Sequence, residues 1–353
     1  MAAYDFLFDK TGLRDWCGES SNQDGPMTMA ELLARKNNNS ADAGSESSLS
    51  LWDLPFPSLD QLNEACSSIA RTRDLTKGME SAFLGVKDSL KFVLDPITQP
   101  LSWLLEGALY VFVETPWWLM LIALLAIVYL ASKSFKLMAF VGSAIMFLAF
   151  IDHYEYAMQT LSIIFVCAIL CVIFGVPIGI AMSRSNWLQR IMIPVLDMLQ
   201  TLPTFVYLIP LIFLFSVTEP KLYGIAIILY AIVPVVRLTD LGIRLVDREV
   251  IEAADAFGMT KRQKLYKVEI PLALPNIMAG VNQTIMMSLA MVVIASLVSA
   301  PGLGVLVLRG IRNLELGVGL VAGLGIVLLA IILDRVTKAA LARINASSSV
   351  SSH

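Results

Sequence analysis

The sequence contains few of the residue types that carry out catalysis. It has two histidines and four cysteines among 353 residues, and no group of His, Cys and carboxylate residues has the spacing of a metal site. The phosphate-binding pattern G-x-x-x-x-G-K-[ST] does not occur, so we do not expect this chain to bind ATP through a P-loop. The sequence therefore predicts no catalytic residue, no metal ion and no cofactor in this chain.

Charged residues are also scarce. They make up 16% of the chain, whereas hydrophobic residues make up 57% and the mean hydropathy is +0.71. A soluble domain of this length needs far less apolar sequence to bury a core, so the excess indicates a membrane protein. There is no basic patch that would favour a nucleic-acid partner.

The charge is divided unevenly along the chain. Residues 1–100 hold nine Lys/Arg and fifteen Asp/Glu, whereas residues 101–353 hold seventeen and fourteen. We interpret residues 1–100 as a polar, acidic N-terminal extension that is partly disordered, chiefly over 1–50. Its first residues lack the basic start and apolar core of a cleavable signal peptide. Cys17 and Cys66 both lie in this extension and could pair, whereas Cys167 and Cys171 share one face of an apolar helix.

The rest of the chain predicts an all-α, polytopic membrane protein with about seven spans, in a range of six to eight. Residues 101–113 are too short to cross ~30 Å of hydrocarbon and predict an interfacial helix. Residues 101–150 then comprise this helix and the first two spans, 151–345 form the membrane core, and 346–353 form a disordered tail. The fourth span, which could begin as early as Ile191, then contains Pro194, Pro203 and Pro210 and is predicted to be kinked or interrupted. The spans are predicted at residues 116–132, 135–151, 157–182, 203–217, 222–239, 279–300 and 317–335.

Basic residues in the connections predict the orientation. Fourteen Lys/Arg fall on one side of the predicted spans and three fall on the other. The positive-inside rule then places the loop at residues 249–271 and the C-terminus in the cytoplasm. Seven spans put the N-terminal extension outside, whereas an additional span within 81–113 would reverse its side.

The polar stretch at residues 249–271 is the longest interruption in the hydrophobic part of the chain. Ile251, Ala254 and Phe257 predict an apolar helix stripe over 245–257, and Gly258 ends this helix. Thr260 is placed to cap a second short helix, which we expect to end at Pro271. Composition alone leaves two hypotheses open: a helix on anionic lipid, or a docking site for a partner protein.

The spacing within this stretch resembles the signature loop of permease subunits of bacterial ABC importers. Glu252-Ala253-Ala254 is followed by Gly258 and then by Val268-Glu269-Ile270-Pro271. The usual ending in that family is I-x-L-P. This chain has Val268 in place of Ile and Ile270 in place of Leu, and both changes exchange one aliphatic residue for another. Similarity extends over about 155–335, notably LDMLQTLPTFVYLIP at 196–210 and MAGVNQT at 278–284. These stretches look like the permease of glycine betaine/proline betaine importers.

The resemblance implies a fold of the type I importer permease kind in the bacterial inner membrane. It also implies a non-catalytic subunit that works with two cytoplasmic ATPase subunits, an external substrate-binding protein and a second copy of itself. ATP and Mg²⁺ would then bind to the partner ATPase. The resemblance assigns ATPase coupling to Glu252, Ala253, Ala254, Gly258 and Pro271.

The cargo is less well defined by the sequence. Glycine betaine or proline betaine is expected, with choline, carnitine or trimethylamine N-oxide as alternatives. Phe205 and Tyr207, beside Pro203, could line a path for a quaternary ammonium group through cation–π attraction.

Two other classes of function remain open from the residues. An ion-coupled secondary transporter would place ionisable groups within the spans, but Asp197, Asp240 and Asp334 lie near their ends. A non-transporting scaffold would use the loop only for docking.

Overall fold

The computed structural model describes residues 58–66 and 68–350, and every regular element in these ranges is a helix. The predicted all-α fold is thus confirmed there. The disorder predicted for 1–50 falls outside the described residues, as does Cys17. The elements are α1 Leu59–Ala65, α2 Thr72–Glu114, α3 Trp117–Ser132, α4 Phe135–Phe150, α5 Tyr154–Arg184, α6 Asn186–Thr201, α7 Leu208–Leu214, α8 Pro220–Arg244, α9 Arg248–Ala256, α10 Lys261–Lys264, a π turn Leu265–Glu269, α11 Ile270–Ala295, a 3₁₀ turn Ser296–Val298, α12 Leu303–Arg312 and α13 Leu316–Val350.

The chain divides into two units, residues 1–90 and 91–353. In the described part of the first unit, α1 is tied to the start of α2. The Asp60 carboxylate accepts a hydrogen bond from the backbone N–H of Thr72 at 2.9 Å, and Arg71 donates to the Asn63 side chain at 2.8 Å. Side chains on this stretch of α2 are mostly exposed.

The core of the second unit is built around α8. Leu222 and Ile227 of α8 are fully buried against Leu105 of α2, Ile163 of α5 and Met291 of α11. Burying such aliphatic side chains stabilises a fold by about 1.5–3 kcal/mol each in water, but in lipid close packing has to supply the attraction. Cys167 and Cys171 are buried, as their common helix face predicts.

Glycines allow α8 to approach its two neighbours closely. A Cβ atom on Gly175 would lie 2.4 Å from a methyl carbon of Val235, and one on Gly179 would lie 2.7 Å from the carbonyl oxygen of Val236. On the other side, a Cβ on Gly280 of α11 would lie 3.0 Å from the Cα of Val235. The spacing Gly175/Gly179 therefore marks a helix contact, as small residues four apart do in membranes.

The pair Gly319/Gly323 behaves differently. Gly319 lies against Gly310 of α12, whereas Gly323 has no atom within 4 Å of an added Cβ. Among the described residues, the predicted close contact is thus present at Gly319 and absent at Gly323.

Four helical segments of the described chain are long and apolar enough to cross a membrane: Tyr154–Arg184, Pro220–Arg244, Lys261–Val298 and Leu316–Arg343. Three of them contain the spans predicted at 157–182, 222–239 and 317–335, and Lys261–Val298 covers all but the last two residues of the span predicted at 279–300. α2 and α3 are long and apolar enough only when they are taken together, and they are bent by 113° where they join. The apolar α4 has 16 residues and is shorter than the four segments. The total of seven spans therefore stays a prediction.

The segment predicted as the fourth span is interrupted. α6 ends at Thr201 and α7 covers only seven residues. Leu202 takes an extended backbone with φ −63° and ψ 132°, because the ring of Pro203 disfavours a helical conformation in the preceding residue. The prolines predict this break, but residues 203–217 do not form one helix.

The helix predicted over 101–113 is longer than expected. It is the last part of the 43-residue α2, which contains Pro96 and Pro100. Leu101 and Leu105 fit against Gly224 of α8, and this tertiary burial outweighs the helix-breaking tendency of the two prolines. Its position at a membrane interface stays a prediction.

At the C-terminus, residues 346–350 continue α13, since the alanine-rich turns before them favour helix propagation. The disorder expected for 346–353 stays a prediction. Residues 351–353 lie outside the described part.

Connections that the Lys/Arg count assigns to one side of the membrane contact one another in the structure. Arg343 near the end of α13 donates to the backbone oxygen of Leu130 near the end of α3. Arg244 at the end of α8 donates to Asn186 at the start of α6, at 3.0 Å. The basic connections therefore share one end of the helical bundle.

We predict that Gly179→Val destabilises the fold by about 1–3 kcal/mol, since the new side chain must displace α8. Gly323→Val is the matched control, because an added Cβ there meets no atom of the residues that the structure describes. The temperature at which the detergent-solubilised protein aggregates should fall for Gly179→Val only. Equal midpoints for both variants would contradict the close contact of α5 with α8.

Candidate functional site

The stretch at residues 249–271 projects from the end of the bundle where the basic connections meet. It begins after Arg244, where α8 ends, and returns through the π turn into α11. The Asp247 side chain accepts a hydrogen bond from the backbone N–H of Glu249 at 3.0 Å and so caps α9. This cap starts the helix at Arg248, three residues later than predicted.

α9 presents polar residues on its outer side and one small residue towards the protein. Ala254 is buried, whereas Glu252 and Ala253 are exposed. Glu252 accepts a hydrogen bond from Arg248 at 3.2 Å, but both side chains are more than two-thirds exposed. An ion pair this exposed contributes about 0–1 kcal/mol, so both groups remain available to a partner.

The corner after α9 depends on glycine. Gly258 has φ +73°, a conformation that L-residues adopt only at a cost. Its N–H donates to the Asp255 carbonyl at 2.9 Å, and the next N–H, of Met259, donates to Ala254 at 3.1 Å. These bonds satisfy carbonyls at the helix end and confirm Gly258 as the end of the first helix. An added Cβ would meet no atom, so the constraint is conformational.

Phe257 does not join the predicted apolar stripe. It follows the last residue of α9 and is 85% exposed, whereas Ile251 is half-buried. α9 ends one residue earlier than the pattern assumed, so the Phe257 side chain leaves the packed face. A large apolar side chain is thus displayed beside the glycine corner.

The second helix starts as Thr260 predicts. The Thr260 hydroxyl accepts a hydrogen bond from the N–H of Gln263, and the Gln263 side chain accepts one from the N–H of Thr260 at 2.9 Å. Lys264 then donates to both carboxylate oxygens of Asp255, at 2.7 and 2.8 Å. This bidentate contact fixes the second helix to the first across the corner.

The second helix does not end at Pro271. It passes through the π turn into α11, and the N–H of Ile270 donates to the carbonyl of Leu265, five residues earlier. Pro271 occupies the first turn of α11, where its missing N–H is tolerated. The exposed Pro271 therefore lies at a helical junction between the loop and a long apolar helix.

Buried polar groups hold the base of the loop. Glu269 of the π turn is 4% exposed and forms an ion pair with Arg184, the last residue of α5. Asp240 of α8 is 8% exposed and accepts hydrogen bonds from Gln189 at 2.7 Å and from Arg244 at 2.9 Å. The sequence pattern did not reveal these contacts, because the partners of the first lie 85 positions apart.

The interrupted segment holds the residues predicted to line a path. Pro203 and Phe205 are exposed, the latter by 58%. Tyr207 is half-buried against the core, and its hydroxyl lies 3.9 Å from the sulfur of Met291. The structure thus places Phe205 and Tyr207 on one short segment but in different surroundings.

The corner around Gly258 has exposed side chains that could bind a partner but no arrangement that suits a metal ion among the described residues. Across the described residues, no group of three or more His, Cys, Asp or Glu side chains could hold a metal ion. The corner displays a carboxylate, an aromatic ring and basic side chains on a rigid base. Such an arrangement suits contact with another protein.

The chain matches a known family over residues 172–346, described as the binding-protein-dependent transport system inner membrane component. The matched range contains the whole loop.

Curated relatives share this range. The glycine betaine/proline betaine transport system permease protein of Escherichia coli (strain K12) is 48% identical over 54% of this chain and 53% of that protein, so the chain spans about half the length of that relative. The glycine betaine/carnitine transport permease protein of Listeria monocytogenes serotype 1/2a (strain 10403S) is 40% identical over 69% of this chain and 87% of that protein. Among solved structures, an inward-facing form of the MetNI methionine ABC transporter is 18% identical over 54% of this chain and 95% of that chain, with a TM-score of 0.49. On the family match and the curated relatives, the chain belongs to the family of inner membrane components of binding-protein-dependent transport systems.

Proposed function

We propose that this chain is the transmembrane permease subunit of an ATP-driven importer. Residues 249–271 would form its contact with a cytoplasmic ATPase subunit. The observation that carries this proposal is the rigid, exposed corner around Gly258. It is joined through the π turn to an apolar helix long enough to cross the membrane. A force applied at the corner would pass directly into the membrane region.

Each predicted coupling residue would have a distinct physical role. Glu252 supplies an exposed charge, and Ala253 leaves room for a partner to approach the helix. Ala254 packs the helix onto the protein, Gly258 sets the corner, and Pro271 marks the junction with α11. The exposed ring of Phe257 adds apolar area of the type enriched at protein interfaces.

The proposed orientation of this chain in the membrane rests on the connections that carry most of its Lys and Arg residues. They favour a cytoplasmic side for the loop and the C-terminus in the bacterial inner membrane. The N-terminal extension and the substrate-binding protein would then lie on the opposite side. ATP and Mg²⁺ would bind to the ATPase subunits, of which we expect two.

The substrate we propose is a quaternary ammonium solute such as glycine betaine or proline betaine. The solutes for which the two relatives are named support this class. Carnitine, choline and trimethylamine N-oxide are the alternatives. The exposed ring of Phe205 could attract such a cation with about 0.5–2 kcal/mol, with Tyr207 and Pro203 shaping the same segment.

Gly258→Val should uncouple the importer, because a β-branched residue at φ +73° disfavours the corner by about 1–2 kcal/mol. In proteoliposomes with the ATPase and the binding protein, we expect transport and substrate-stimulated ATP hydrolysis to fall about 5–30-fold. Gly258→Asn is the control, since asparagine tolerates positive φ, and it should keep most activity. Wild-type rates in Gly258→Val would contradict the coupling role.

Uptake should depend on the partner subunits. We expect labelled glycine betaine to accumulate only when the ATPase, the binding protein and ATP are all present, and not with this chain alone. Accumulation driven by a proton or sodium gradient across liposomes that contain only this chain would favour a secondary transporter. No flux with every partner supplied would favour a scaffold.

Two copies of this chain should form one complex, because each chain has one loop and two ATPase subunits are expected. Native mass spectrometry of the detergent-solubilised complex should give two copies of this chain. A mass with one copy would contradict the homodimer.

A further inference from the structure

The turn between α5 and α6, residues 182–189, contacts both ends of the loop. On the side where the loop begins, Arg244 donates to the backbone oxygen of Met182 at 2.8 Å and to the side chain of Asn186 at 3.0 Å. Gln189 donates to Asp240 at 2.7 Å. These three contacts fasten the end of α8 to the turn.

On the side where the loop returns, a single ion pair makes the connection. Arg184 of the turn donates to Glu269, whose side chain is 4% exposed. Glu269 is the last residue of the π turn, and π turns occur frequently at functional sites. A buried carboxylate needs a compensating charge, so Arg184 and Glu269 are held together.

The same turn leads directly to the interrupted segment. Ser185 caps α6 by accepting a hydrogen bond from the N–H of Leu188 at 3.3 Å. α6 then runs to Thr201, where residues 202–207 depart from the helix before α7. α6 thus connects the turn directly to the segment that holds Phe205.

We propose that Arg184 and Glu269 are positioning residues that transmit movement of the loop to this interrupted segment. This inference rests on the proposed function, and it adds a second route beside the direct one through α11. The exposed pair Arg248–Glu252 is unsuited to this task, because solvent can replace either partner. Glu269 occupies the x position of the family signature I-x-L-P, which the signature leaves unspecified.

Three variants test the role in the complete complex reconstituted with ATPase and binding protein. We expect Arg184→Gln and Glu269→Gln to retain ATP hydrolysis while the number of substrate molecules transported per ATP falls about tenfold. The exchanged pair Arg184→Glu/Glu269→Arg should recover at least half of the wild-type ratio. Lys338→Gln is the control, since Lys338 loses an ion pair with Asp334 at 2.8 Å that is not connected to the turn.

A purely structural role gives a different pattern. Transport and ATP hydrolysis would then fall together with the amount of assembled complex, and the ratio would stay at the wild-type value. An unchanged ratio in both single variants would overturn the proposal. So would an exchanged pair that assembles but remains as uncoupled as the single variants.

If these variants fail to assemble, Arg184→Lys provides the decisive measurement. It keeps a positive charge for the buried carboxylate of Glu269 but replaces the guanidinium with a more flexible point charge. We expect the transport ratio to fall several-fold with normal assembly, and a wild-type ratio would overturn the proposal. Failure of the proposed function itself would be seen separately, as absence of ATP-dependent uptake in the wild-type complex.

Discussion

The close packing of α8 between α5 and α11 is the constraint on which the rest of the structure depends. In lipid, helices gain little from hiding apolar surface, so they associate where backbones can approach and pack. Gly175, Gly179 and Gly280 provide that approach from both sides of α8. Gly242 adds a fourth contact, since a Cβ there would lie 2.7 Å from the side chain of Asn276 on α11. Because the loop leaves from α8 and returns into α11, this packing also fixes the distance between its two ends.

The loop combines a firm base with an accessible outer surface. At the base, Glu269 and Asp240 are buried and satisfied by charged or amide partners. At the outer surface, Glu252 and Phe257 face solvent, and their neighbours do not compete strongly for them. In the proposed function, stability and recognition would thus fall to different residues of one short stretch, so that the outer surface could be specific for a partner without loosening the bundle.

Local features of the loop could be predicted because they arise from residues close in sequence. The helix end at Gly258 was predictable because the corner requires a positive φ, and the helix start at Thr260 was predictable because a helix needs an N-terminal cap. Long-range contacts could not be predicted in this way, since no periodicity links Arg184 to Glu269. Burial overruled one local expectation, because Leu105 packs within a helix that contains Pro96 and Pro100. An early helix end overruled another, because Phe257 follows the last residue of α9 and leaves the apolar stripe. The break at Pro203 was predictable, whereas the extent of α7 was not.

The helical continuity of Lys261–Val298 has a mechanical consequence. As a straight α-helix, these 38 residues would be roughly 57 Å long at 1.5 Å per residue. The segment runs from the glycine corner to the opposite end of the bundle, where Thr160 accepts a hydrogen bond from the N–H of Leu303 at 2.9 Å. A tilt of about 5° about one end of a helix this long would move its other end by about 5 Å. In the proposed function, a small change of angle at the corner would therefore become an ångström-scale displacement at the far end of the bundle.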